Sequence, residues 1–78
     1  MYEVKTQFGV VRLSKDALEA AEETNVDIHG DLIDAIYGGS TEGQLLSRCL
    51  EGADEDRVKG WEDYSKAIYA AAEAFEKE

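Results

Sequence analysis

Between Val58 and Phe75 the chain places an apolar or small residue at every third or fourth position. Val58, Trp61, Ser65, Ile68, Ala72 and Phe75 follow one another at intervals of 3-4-3-4-3. That is one stripe of an α-helix, and no proline interrupts it because the chain has none. The pattern predicts a helix over 55–77, about 30 Å long at 1.5 Å per residue. The stripe covers fewer than three heptads, which is thin for a coiled coil. It has two uses: it packs on shorter elements of the same chain, or it pairs with a second copy. The whole sequence is 78 residues long, room for one small domain.

The rest of the chain supplies those shorter elements. In residues 1–13, Tyr2, Val4 and Thr6 alternate with Glu3, Lys5 and Gln7, and a second run, Val10 to Leu13, follows Phe8-Gly9. A two-residue turn at Phe8-Gly9 would pair Val4 with Leu13 and Thr6 with Val11. It would also set Lys5 opposite Arg12, a mildly unfavourable contact. Tyr2, Val4, Val11 and Leu13 then share one face. A lone hairpin is marginal in water, so this one must lie on helices.

Three shorter helices are predicted. The first, 14–24, has Ser14 as its cap and Leu13 and Leu18 at staple spacing. Its small-residue face is Ala17, Leu18, Ala20 and Ala21. The second, 28–37, follows the cap Asp27, carries Ile28, Leu32, Ile33 and Ile36, and stops at Gly38. The third, 41–51, opens on the capping-box pair Thr41 and Gln44 and carries Leu45, Leu46, Cys49 and Leu50. The fold class is therefore α+β: an N-terminal two-stranded hairpin on helices, the last one longest.

Charge is spread unevenly. The formal net charge is −10, yet residues 1–13 are slightly basic and residues 57–78 nearly balanced. The excess lies in residues 14–56, where only Lys15 and Arg48 oppose a long set of carboxylates. Such a balance argues against nucleic acid as a direct partner, which needs clustered Lys and Arg, and against an anionic membrane surface. No signal peptide is visible at Met1-Tyr2-Glu3-Val4-Lys5 and no apolar run is long enough for a membrane span, so a cytoplasmic chain is expected. A single cysteine, Cys49, excludes an intrachain disulfide and reads as a buried small hydrophobe.

Few residues offer chemistry. His29 and Cys49 are too few for a zinc site. The run from Asp54 lacks calcium-loop spacing, with Val58 fifth and Ser65 twelfth. No phosphate-loop, dinucleotide or nucleophile-elbow pattern occurs. His29, between Asp27 and Asp31, reads as a surface residue. No catalytic residue and no cofactor are expected.

The carboxylates themselves are the candidate site. Asp16, Glu19 and Glu23, and then Asp27, Asp31 and Asp34, form helical stripes, and Asp54, Glu55 and Asp56 follow in a loop. Residues three or four apart on a helix lie about 4.5–6 Å apart along its axis, and duplex DNA carries charge at a broadly similar density. These stripes could imitate a run of phosphates on a basic protein surface. The alternative is an ordinary solvated face.

Two resemblances follow from these residues. In size, acidity and lack of catalytic signatures the chain resembles phage-encoded small inhibitor proteins, including anti-CRISPR proteins and DNA mimics. The likeness is one of profile over the whole chain, with no residue motif. It implies stoichiometric binding, in the host cytoplasm, to a basic surface of a CRISPR–Cas or other nucleic-acid-binding protein. Separately, Gly38-Gly39-Ser40 is similar to the Gly-Gly-x-Ser of peptidyl carrier proteins, with one residue missing. That likeness implies phosphopantetheine on Ser40. The same residues also read as the end of one helix and the start of the next. A homodimer through the C-terminal seam is the remaining alternative.

Overall fold

A computed structural model describes residues 1–76 of the chain. An antiparallel hairpin of β1 (Tyr2–Thr6) and β2 (Gly9–Leu13) is followed by α1 (Lys15–Thr24), α2 (Ile28–Ile36) and α3 (Glu42–Leu50). A 3-10 turn at Glu55–Arg57 then leads into α4 (Val58–Glu76), the longest element at 19 residues. The α+β architecture is the expected one. The first residues of the expected last helix form that 3-10 turn, and Lys77 lies outside the described residues.

The helix starts are fixed by side chains. The Ser14 hydroxyl accepts the Ala17 N–H at 3.2 Å, and Asp27 accepts the Gly30 N–H at 3.0 Å. Thr41 and Gln44 form the reciprocal capping box, with bonds of 2.9 and 3.2 Å. Each cap satisfies helix N–H groups that have no partner inside the helix. α1 ends at Asn25 in the left-handed conformation, φ 55°, a role asparagine fills when glycine is absent. α2 ends one residue earlier than expected, with Tyr37 as its cap and Gly38 beyond it at φ 76°.

The hairpin corrects the expected register. Its turn is Gln7-Phe8, and the pairs are Tyr2 with Leu13, Glu3 with Arg12, Val4 with Val11, Lys5 with Val10 and Thr6 with Gly9. The cause is Thr6. Its hydroxyl donates to the Gly9 carbonyl at 2.8 Å and accepts the N–H groups of Phe8 and Gly9 at 3.2 Å. The ring of Phe75 also sits so close to Gly9 (φ 145°) that a Cβ there would lie 2.7 Å from it. The shift of two residues keeps every side chain on its expected face. It also replaces the Lys5–Arg12 clash with a direct Glu3–Arg12 ion pair at 3.5 Å.

α4 is the axis on which the other elements pack: α1, α2, α3 and β2 all lie against it. Trp61, Ser65, Ile68 and Ala72 of its seam are buried, together with Tyr64, Val11, Leu13, Leu32 and Leu45. These four seam residues are therefore spent on the chain's own core, while Phe75 is partly buried against it and Val58 is exposed. The polar member of the seam, Ser65, donates to the Trp61 carbonyl at 2.9 Å, which satisfies the buried hydroxyl. Trp61 and Tyr64 meet edge to face, with ring centroids 5.4 Å apart. α1 brings Ala17, Ala20 and Ala21 to the interface, and α4 brings Gly60. The helices approach so closely that a Cβ on Gly60 would stand 2.5 Å from the Asp16 carbonyl oxygen.

Candidate acidic interface

The acidic residues fall into three environments. Asp16, Asp27, Asp34, Asp54, Glu55 and Asp56 are exposed. None of them has a salt bridge among the described residues, and the same holds for exposed Glu22, Glu42 and Glu51. Asp27 spends one oxygen on its cap and remains accessible. These groups keep their charge facing solvent.

Glu19 and Glu23 are held from across the chain. Arg57 donates to both oxygens of Glu23 at 2.6 and 2.7 Å, a two-pronged pair. The same guanidinium reaches Glu19 at 3.6 Å. The hydrogen bond from Arg57 holds the Glu23 carboxyl below its ordinary value. Arg57 thus fastens the 3-10 turn to α1 and carries the Asp54–Asp56 loop beside the end of that helix. The loop and the second half of α1 form one acidic patch with a cation at its centre. Sequence spacing gave no hint of this, since Arg57 lies 34 residues from Glu23.

Asp31 departs from the expected stripe. It is 8% exposed. One oxygen accepts from Arg48 at 2.6 Å and the other from the Tyr64 hydroxyl at 2.5 Å. Arg48 pairs its charge, and burial withdraws it from the exposed stripe of Asp27 and Asp34. Burial, and then the bond to Asp31, push the Tyr64 hydroxyl well above the usual phenol range. The arrangement ties α2, α3 and α4 together at one point. Arg48 is therefore also committed, and within residues 14–56 Lys15 is the one other Lys or Arg.

The remaining chemistry-bearing side chains are quiet. Cys49 is half-buried. Burial, aided by the Asp31 charge, pushes its thiol up to about 11 from an ordinary 9.0. Only the thiolate is nucleophilic, and two pH units cut its fraction about a hundredfold. Alkylation of Cys49 by iodoacetamide at pH 8 is expected to run about a hundredfold slower than in the urea-unfolded chain, as followed by mass spectrometry. His29 is half-buried rather than free on the surface: its ring packs on Phe8 with centroids 5.5 Å apart, and its Nε2 is buried without a hydrogen-bond partner among the described residues. Ser40 precedes the α3 cap. Its hydroxyl lies 3.0 Å from that of Tyr69, which also donates to the Ser40 carbonyl at 2.7 Å.

Compared with family models, curated proteins and solved structures, the chain finds no match in any of the three. The acidic surface must be interpreted on its own physics. No helix of the described residues is long and apolar enough to cross a membrane. No group of three His, Cys, Asp or Glu placed to hold a metal ion occurs among them.

Proposed function

We propose that the chain is a non-enzymatic binding protein whose acidic face docks on a basic surface of another protein and blocks nucleic acid from that surface. The observation that carries this reading is the set of exposed, unbridged carboxylates in residues 14–56. Packing them into one small domain costs self-repulsion, which a basic partner would relieve. The face consists of Asp16, Asp27, Asp34 and Asp54–Asp56, with Glu19 and Glu23 beside the loop but already paired with Arg57.

The dimensions suit the role. The longest axis is 36 Å, close to the ~34–36 Å of one duplex turn. An ordinary interface of about 800 Å² per partner is roughly a sixth of the 5046 Å² surface. A host nucleic-acid-handling protein, such as a CRISPR–Cas component, has the chemistry such a face would recognise.

Charge steering makes such association fast and sensitive to salt. The variant D54N/E55Q/D56N is expected to bind the partner at least tenfold more weakly at low ionic strength. Its thermal midpoint should be unchanged or raised, because no bond of the fold is lost. Adding D27N preserves the α2 cap, since asparagine caps as well as aspartate. Asp31 is left alone because it belongs to the core. Isothermal titration across a salt series checks this. Affinity indifferent to both the substitutions and salt contradicts the reading.

A further inference from the structure

A second surface differs in character from the acidic one. Between β2 and one flank of α4 lies an open groove of about 540 Å³, with Val10 and Arg12 on one side and Lys66, Ala67, Ala70 and Ala71 on the other. Its surface is largely apolar, and Val10 is 43% exposed. The sheet has only two strands, in the order β1-β2, so β2 is bonded along one edge alone. With Thr6 and Gly9 closing a two-residue turn, alternate residues direct their backbone groups away from β1. Those residues are Val10 and Arg12, the two that line the groove. Neither has a backbone bond outside the hairpin among the described residues.

The charge of the groove selects its occupant. Arg12 and Lys66 stand at it, on a chain whose formal net charge is −10. Asp63 lines it too, but that carboxylate already accepts the Ser14 hydroxyl at 2.9 Å and Lys59 at 3.3 Å. The Glu3–Arg12 pair is solvent-exposed, so it is weak and exchangeable. A second copy would bring its own net charge of −10 against this one, whereas a short segment brings only its own carboxylates to Arg12 and Lys66.

We propose that this groove takes an extended segment of a partner protein that alternates apolar and acidic residues. The segment adds to the free edge of β2 as a third strand. Its backbone bonds the outward groups of Val10 and Arg12, its apolar side chains rest on Ala67, Ala70 and Ala71, and its carboxylates reach Arg12 and Lys66. This surface is independent of the acidic face and is tested separately from it.

The probe is an acetylated, amidated hexapeptide alternating valine and aspartate, titrated into the ¹⁵N-labelled full chain. Saturable amide shifts are expected at Val10, Arg12, Ala67 and Ala70. A counterpart with lysine for aspartate should bind at least tenfold more weakly, as should one N-methylated on the amides that face β2. A70E should abolish the shifts and K66E reduce them, both with the remaining spectrum intact, because both residues are exposed. The proposal is overturned by an absence of saturable shifts or by shifts confined to residues 14–56. Equal binding of the lysine or N-methylated peptide overturns it as well. So does a concentration-dependent dimer in sedimentation that itself covers Val10 and Ala70.

Discussion

Replacing Gly60 with alanine is expected to destabilise the fold by about 2 kcal/mol, the net of two opposed effects. Alanine is the better helix former by about 1 kcal/mol, and in open space it would stabilise α4. The added Cβ, however, would stand 2.5 Å from the Asp16 carbonyl oxygen, 3.0 Å from its carbon and 3.2 Å from the Ala20 Cβ. Two of these are backbone atoms of α1, which cannot turn aside as a side chain can. The helices must separate, which loosens Ala17 and Ala20 as well. Overpacking costs about 1–3 kcal/mol, and a clash with unyielding backbone falls at the upper end, about 3, of which the helix gain offsets about 1. A domain of this size has roughly 4–12 kcal/mol in total, and the midpoint should fall by roughly 10 °C or more. Gly43 is the control, because a Cβ there meets nothing nearer than 3.9 Å. G43A should be neutral or slightly stabilising. Urea unfolding of both variants checks the pair, and a G60A as stable as the parent contradicts the close helix contact.

The second large effect is at Asp31. Removing its carboxylate in D31A strands the Tyr64 hydroxyl, which is fully buried and bonded to nothing else. Arg48 loses its partner too, but its side chain is 57% exposed and returns to water. An unpartnered buried hydroxyl costs about 1–3 kcal/mol, so D31A should lose about 2–3 kcal/mol. D31N keeps an acceptor for Tyr64 and should lose less. Y64F leaves Asp31 with Arg48 and should cost about 1–2 kcal/mol. In the double variant D31A/Y64F neither orphan remains, so its loss should fall short of the sum by about 1 kcal/mol. A double-mutant cycle by urea unfolding measures that difference, and strict additivity would contradict the bond. The result bears on function directly. Neutralising Asp27, Asp31 and Asp34 together would mix a folding defect with a binding one.

These two sites also mark where sequence stops being informative. The order and type of the elements could be read because each carries its own local signal: the caps Ser14, Asp27 and Thr41, the 3-4 spacing of α4, and the alternation of residues 2–6. The hairpin face could be read for the same reason, but its register could not. A slip of two residues leaves every side chain on the same face, so alternation alone cannot choose. The Thr6 hydroxyl and the Phe75 ring made the choice. Asp31 has the spacing of a surface stripe with Asp27 and Asp34. It turns inward because Arg48 and Tyr64 arrive from α3 and α4. Arg57 likewise finds Glu19 and Glu23 only through the fold. Charge counted along the chain located the acidic region. Which charges remain free depends on contacts between distant segments.

The central claim is that those free carboxylates are a docking face. The most direct measurement immobilises the full chain and passes a cell lysate over it, beside a D54N/E55Q/D56N column. Retained protein is then eluted with duplex DNA or with rising salt. The account predicts one nucleic-acid-binding protein held by the parent, displaced by DNA and by moderate salt, and lost from the variant. A partner held equally by both columns and indifferent to DNA and salt would contradict it, as would no specific retention at all.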